Sequence, residues 1–264
     1  MTKERGHNIP LESGDENELW ELFHENSKVT AYDVSLSDEE VLAAMRKLSG
    51  SLDYKGYPTI DLPRSLTPIK LSFEELITRR VTTRKLVPCW LTLENINTIL
   101  YYAYGITRDN SNSNFPRPFR IVPSAGALYP LEIFFYSSHI DGELPGLYHY
   151  NPTEKNLRLL RSGDLSTEIS KSLVQKELAV ENSMLIFVTA MFKRSTFKYG
   201  NRGYRFALLE AGHVAQNINL VTTGLGLGSV NICGYFDRQV DDLLDLDGVT
   251  HSTIYIIAIG KKLE

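Results

Sequence analysis

Cysteine is scarce: 264 residues include only Cys89 and Cys233. Two thiols cannot build a disulfide framework, and no CxxC or Cys/His cluster is present to hold structural zinc. The expectation is a reducing compartment, the cytoplasm, with both thiols free and buried. Long apolar runs are missing too. The stretch 185–191 is far too short to cross a bilayer, so no membrane partner is expected. The opening MTKERGHNIPLESGDENELWELF has no apolar centre and does not read as a secretory signal. Positive charge is not in excess: 28 Lys and Arg stand against 32 Asp and Glu, a formal net charge of −4. That removes the footprint of a nucleic-acid binder. No GxSxG elbow supports a hydrolase of that type. His139, His149 and His251 show no metal-ligand spacing, and no metal is expected.

What remains is an ordinary globular composition, 42% apolar and 23% charged. A chain of this length buries roughly three quarters of its unfolded surface. Residues 18–26 and 37–48 read as helices, the second opening with the capping box Ser37/Glu40. Residues 1 to about 17 read as a loosely held tail, and the Pro- and Tyr-rich stretch 54–68 as an extended loop. Residues 1–68 thus form an N-terminal extension to a domain at 69–264. Helices are expected at 72–79 and 92–104, capped by Ser72 and Thr92, with Gly105 closing the second. Strands are expected at 131–136, 146–150, 156–160, 184–192, 230–233 and 253–259, with a helix at 167–177. Residues 205–223 carry apolar side chains on nearly every side, so that helix is buried inside the subunit or against a partner. Interleaved strands and helices indicate an α+β sandwich.

Four constellations carry possible chemistry. Arg79-Arg80-Val81-Thr82-Thr83-Arg84 follows a short helix, and its guanidinium forks and hydroxyls suit phosphate oxygens; the plain alternative is a solvated basic turn. Ser124-Ala125-Gly126-Ala127-Leu128 lets backbone approach a planar ligand, or is simply a tight turn. Lys198-Tyr199 sits among Arg202 and Arg205, whose charges would lower the lysine toward a useful base; the alternative is a polar loop facing water. Gly224-x-Gly226-x-Gly228-Ser229 fails as a dinucleotide fingerprint because it follows a helix. It reads as a helix cap with a close backbone approach. Lys261 and Lys262 stand just past a central strand, where a phosphate or only solvent would meet them. His213, on the apolar helix, reads as a satisfied core histidine.

In this order, RRVTTRKL, VPSAGALYPLEIFFY, PGLYHYNPTEKNLRLL and KYGNRGYRFALLEAGHVAQNINLVTTGLGLGSVNICGYFD resemble the nitroreductase superfamily. Within it they resemble the SagB-type dehydrogenases, which include thiazoline and oxazoline oxidases of peptide natural-product pathways. The resemblance runs from about Ser72 to Lys262. It implies a mostly antiparallel sheet flanked by helices, an intertwined homodimer, and FMN at the dimer interface. Arg80, Thr82 and Arg84 would hold the phosphate and ribityl end, with Lys261 near the phosphate. Ser124, Ala125, Gly126 and Leu128 would approach the isoalloxazine from the other subunit, and Gly226, Gly228 and Ser229 would lie along the flavin. Lys198 and Tyr199 match the Lys-Tyr pair that azoline oxidases use and general nitroreductases lack. One of the two would remove the ring proton while hydride leaves for the flavin, and dioxygen would reoxidise it. The substrate would be a ribosomal precursor peptide or a carrier-tethered nonribosomal intermediate. Two other readings stay open: a nicotinamide-dependent nitro- or quinone reductase, and a flavin-free subunit of a biosynthetic complex.

Overall fold

The computed structural model describes residues 19–33, 36–113 and 117–263. The expected tail at residues 1 to about 17 lies outside the described residues. Eight helices and ten strands follow one another among the described residues. They are α1 (Leu19–Asn26), α2 (Asp38–Met45), β1 (Thr59–Asp61), α3 (Phe73–Arg79), β2 (Leu86–Val87), α4 (Leu93–Tyr104), β3 (Ile106–Arg108), β4 (Phe119–Arg120) and β5 (Leu131–Ser137). Then come β6 (Gly146–Asn151), β7 (Asn156–Ser162), α5 (Ser166–Ser172), β8 (Met184–Met191), α6 (Lys193–Tyr199), α7 (Arg202–Gly224), β9 (Gly228–Ile232), α8 (Asp237–Leu243) and β10 (His251–Lys262). None of the described helices is long and apolar enough to cross a membrane.

The main sheet runs β1-β7-β6-β5-β8-β10-β2, with β9 also paired to β10. Each of these ladders is antiparallel. Alternation along the strands divides the core into two layers. On β8, Met184, Ile186, Val188 and Ala190 face the layer that holds α4 and α7. Leu185 and Phe187 face the layer that holds α5 and α8. β5 and β10 alternate in the same sense, so helices cover both faces of the sheet. This is the expected α+β architecture, a large antiparallel sheet flanked by helices.

Local chemistry sets the helix starts. Ser37, Ser72 and Thr92 each close a full capping box with Glu40, Glu75 and Asn95, satisfying orphan N–H groups reciprocally. Gly105 ends α4 in extended backbone, not left-handed. A Cβ there would lie 2.5 Å from the Tyr101 ring and 2.6 Å from its carbonyl oxygen, so glycine serves a close approach.

Several expectations are corrected. The stretch 54–68 is not loop throughout, since β1 pairs with β7 at the sheet edge. The helix expected at 167–177 stops at Ser172, and a short 3-10 turn follows at Lys176–Ala179. Residues 193–199 form a helix where no element was expected, and the buried helix begins at Arg202, three residues before the expected 205. Cys89 is half-buried and Cys233 exposed, so the thiols are not both buried. His213 is exposed on α7, not in the core.

One buried ion pair joins four parts of the chain. Glu132 on β5 lies 2.7 Å from Arg194 on α6 and 2.8 Å from His149 Nε2 on β6. It also accepts from Ser51 Oγ at 3.1 Å and the Leu52 N–H at 3.0 Å. Burial alone would raise the Glu132 carboxyl, but Arg194 and His149 outweigh it and hold the group well below the usual range. Removing one member strands the other charge out of water, at a cost of about 3–5 kcal/mol. Arg194→Met is therefore expected to lose roughly that much stability in urea unfolding; a change within experimental error would show the pair to be dispensable.

Candidate functional site

The proposed site residues fall into two groups. The first surrounds the turn at 124–128. Gly126 has a φ of 62°, and a Cβ there would lie 2.6 Å from Tyr199 Oη and 3.2 Å from Lys198 Nζ. Only glycine lets the turn sit in that backbone shape against those atoms. Lys198 and Tyr199 occupy the last turn of α6. The lysine nitrogen stands 5.2 Å from the centre of the Tyr199 ring, which packs edge-on against Phe206. α6 is locked to the start of α7 by close backbone packing. A Cβ on Gly203 would meet Ser195 backbone at 2.8 Å, and Ser195 Oγ donates to the Gly203 carbonyl at 2.9 Å.

Helix α2 reaches this group. Val41 and Met45 of α2 are buried against Leu128, with Phe197 and Tyr199 packed alongside. Glu210 of α7 is 3% exposed and accepts from Tyr104 Oη at 2.6 Å. Tyr104 Oη in turn accepts the Leu131 N–H, and Arg120 lies 4.1 Å over the Tyr104 ring. Burial raises Glu210 to about 7, against the opposing pull of Ser124, Tyr104, Arg120 and Arg117. Sequence reading missed Glu210. The available signal was a carboxylate standing on the buried stripe of Ala207, Ala211 and Val214.

The second group gathers at the far end of the molecule. Thr82 bridges to Ser229, and the Thr83 N–H donates to the Ser229 carbonyl at 2.9 Å. A Cβ on Gly228 would strike Thr83 at 2.9 Å, so this approach also requires glycine. Ser229 Oγ donates to Asn219 Oδ1 at 2.9 Å. Lys261 and Lys262 pair with Val87 and Leu86, which brings them beside the segment carrying Arg80 and Arg84. Arg79 is tied to Glu75 at 2.8 Å, whereas Arg80, Arg84 and Lys261 enter none of the ion pairs found among the described residues. An adjoining cleft of about 420 Å³ adds Lys70 and Lys262 to its lining. Thr83 Oγ1 is buried with no partner, and Gly226, at φ +74°, has open space where a side chain would stand. Unpaired cations, an orphan hydroxyl and open backbone fit a phosphorylated planar group.

The two groups do not meet within one chain. α7 separates Lys198-Tyr199 from Gly226-Gly228, and its 23 residues span about 33 Å. β10 gives the same answer. Ser252 pairs with Ala190, the partner of Leu131 next to the turn, and Lys261 lies nine residues further on, about 30 Å away.

A model of the nitroreductase family matches residues 77–261. The Methanocaldococcus jannaschii protein MJ1384, named as a nitroreductase, is 31% identical over 205 residues, covering 78% of this chain and 97% of its own. The Escherichia coli microcin B17-processing protein McbC is 30% identical over 64% of this chain and 62% of its own length. Among solved structures, an Anabaena variabilis protein described as a nitroreductase superposes with a TM-score of 0.71 at 25% identity, over 92% of this chain. The chain spans about half of that protein, 47%. The E. coli microcin synthetase McbBCD complex with truncated pro-MccB17 bound gives a TM-score of 0.60 at 24% identity, over 92% of this chain and 87% of the matched one.

The buried Glu210 yields a pH test. Its folded pKa is above its unfolded value, so its stabilising contribution is full below about pH 4 and is lost as pH rises through 7. His251, lowered to about 4 by burial, acts in the opposite sense but is common to wild type and variant. Glu210→Gln is expected to gain up to about 3 kcal/mol on the wild type between pH 5 and pH 8, read from urea unfolding at both values. Parallel pH profiles would contradict a proton held on Glu210.

Proposed function

The chain belongs to the nitroreductase family, a family of oxidoreductases, and from that premise we propose that it oxidises a thiazoline or oxazoline ring to thiazole or oxazole with FMN in peptide natural-product assembly. The observation that carries this reading is the Gly126 turn laid directly against Lys198 Nζ and Tyr199 Oη. It joins a surface suited to a planar ring with two groups able to take a proton. The relationship to a microcin-processing protein supports a peptide substrate.

The site residues divide the work. Arg80, Thr82, Arg84 and Lys261 hold the phosphate and ribityl end. Gly226, Gly228 and Ser229 lie along the cofactor, and Ser124, Ala125 and Gly126 of a second copy face its ring system, with the Leu128 side chain behind them, buried under α2. Two copies are required because the halves stand about 30 Å apart within one chain, farther than a mononucleotide reaches. Leu208 and Leu209, 42% and 63% exposed on α7, provide an apolar face for that homodimer. FMN, when bound, supplies the two-electron acceptor, with dioxygen as the terminal oxidant. Lys198 or Tyr199 removes the ring proton that the adjacent C=N acidifies. α2 packs over Leu128, with Tyr199 alongside. In this division residues 1–68 are the extension and 69–264 the flavin-binding domain of a cytoplasmic enzyme. The substrate is presented by a partner, either as a precursor peptide or on a carrier protein.

Lys198→Ala is expected to purify yellow, with FMN released on denaturation, and to leave an azoline-bearing peptide unoxidised by mass spectrometry. Undiminished turnover would remove Lys198 from the mechanism. Rapid reduction by NADPH without azoline turnover would select a nitro- or quinone reductase, and a colourless protein a flavin-free subunit. Gly126→Ala places a methyl against Tyr199 and is expected to lower kcat per bound FMN on the order of a hundredfold. A wild-type kcat would show that the turn does not set the pair's position.

A further inference from the structure

A separate cavity of about 310 Å³ lies beside α2, lined by Leu42, Met45, Leu48 and Pro118 with Arg46 and Arg117. Neither arginine enters an ion pair among the described residues. Arg117 is 8% exposed. Its Nη1 is buried without a hydrogen-bond partner, and its Nη2 reaches the Ser49 carbonyl only at 3.5 Å. Burial and the like charges of Arg194 and Arg120 push it down to about 10, still a cation at neutral pH. The buried carboxylates nearby are engaged elsewhere: Glu132 with Arg194 and His149, Glu210 with Tyr104. A buried charge normally finds a partner, and no carboxylate among the described residues pairs with this one.

We propose that this cavity receives a carboxylate on an apolar stem, an acidic side chain or a C-terminal carboxylate of the substrate peptide, held by the Arg117 guanidinium. A planar carboxylate matches the two-pronged guanidinium, and the apolar lining suits a methylene stem. Met45 belongs both to this cavity and to the cluster that contains Leu128 and Tyr199. A group held here therefore lies one side chain away from the Lys198-Tyr199 pair. As a specificity subsite for a residue flanking the ring, the assignment rests on the azoline-oxidase reading; the binding itself does not.

The test uses the full-length protein as purified, with hexanoate and its neutral analogue hexanamide as probes in isothermal titration. Hexanoate is expected to bind at least about tenfold more tightly, the loss of one charge-assisted contact. Arg117→Gln should erase that preference. Leu42→Trp, which fills the cavity and leaves the guanidinium in place, should abolish binding of both probes. Equal affinity for the two probes, or unchanged binding in Leu42→Trp, would overturn the assignment. Peptides with a free or amidated C-terminus, and with Asp or Asn inside, then separate the two sources. Loss of binding with either neutral form identifies the source, and loss with neither rejects the subsite. The readout needs no turnover. A protein that binds hexanoate through Arg117 yet oxidises no azoline sinks the functional reading alone.

Discussion

The length of α7 governs the architecture. Twenty-three helical residues hold the Lys198-Tyr199 end and the Gly226-Gly228 end of the chain apart by about 33 Å. β10 runs between the same two ends in the sheet below. Both are rigid, because their inner faces are packed into the core through Val214, Ile218, Ile257 and Ile259. No side-chain rearrangement can bring the ends together. Any ligand that needs the Arg80-Lys261 cations and the Gly126 turn at once must take them from different chains. The symmetry of a two-fold dimer supplies that pairing twice, with the same surface on each copy.

What the sequence made legible follows from where its signals are local. Ser37, Ser72 and Thr92 announced three helix starts because capping is decided within four residues. The strands at 131–136 and 184–192 were readable as apolar runs bounded by turns. β1 was hidden because it has only three residues, follows Pro58 and holds its place only by pairing with β7. α6 was hidden because Lys193–Tyr199 has no apolar period; it is helical because Arg194 is anchored to Glu132 and Ser195 to Gly203. The site motifs were visible one at a time, but their division into two distant groups depends on tertiary packing that residue spacing does not encode. Glu210 and Arg117 escaped notice for the same reason, since burial, not residue type, makes them unusual.

Glu132 shows that the extension and the core are mechanically one unit around the Lys-Tyr pair. Ser51 and Leu52 from the extension, Arg194 from α6 and His149 from β6 all converge on one carboxylate. Arg120 adds a bond to the Gly50 carbonyl at 2.5 Å, and Val41 and Met45 close over Leu128 and Tyr199. α6 is a short helix, and short helices have little stability of their own. Its last turn carries the proposed base, so the base inherits its position from a buried ion pair and from α2 instead of from helix propensity. A sequence change at residues 41–52 thus acts on the same side chains as a change in α6 itself. Residues 41–52 therefore form a wall of the proposed site, one α7 length away from the Gly226-Lys261 end of the fold.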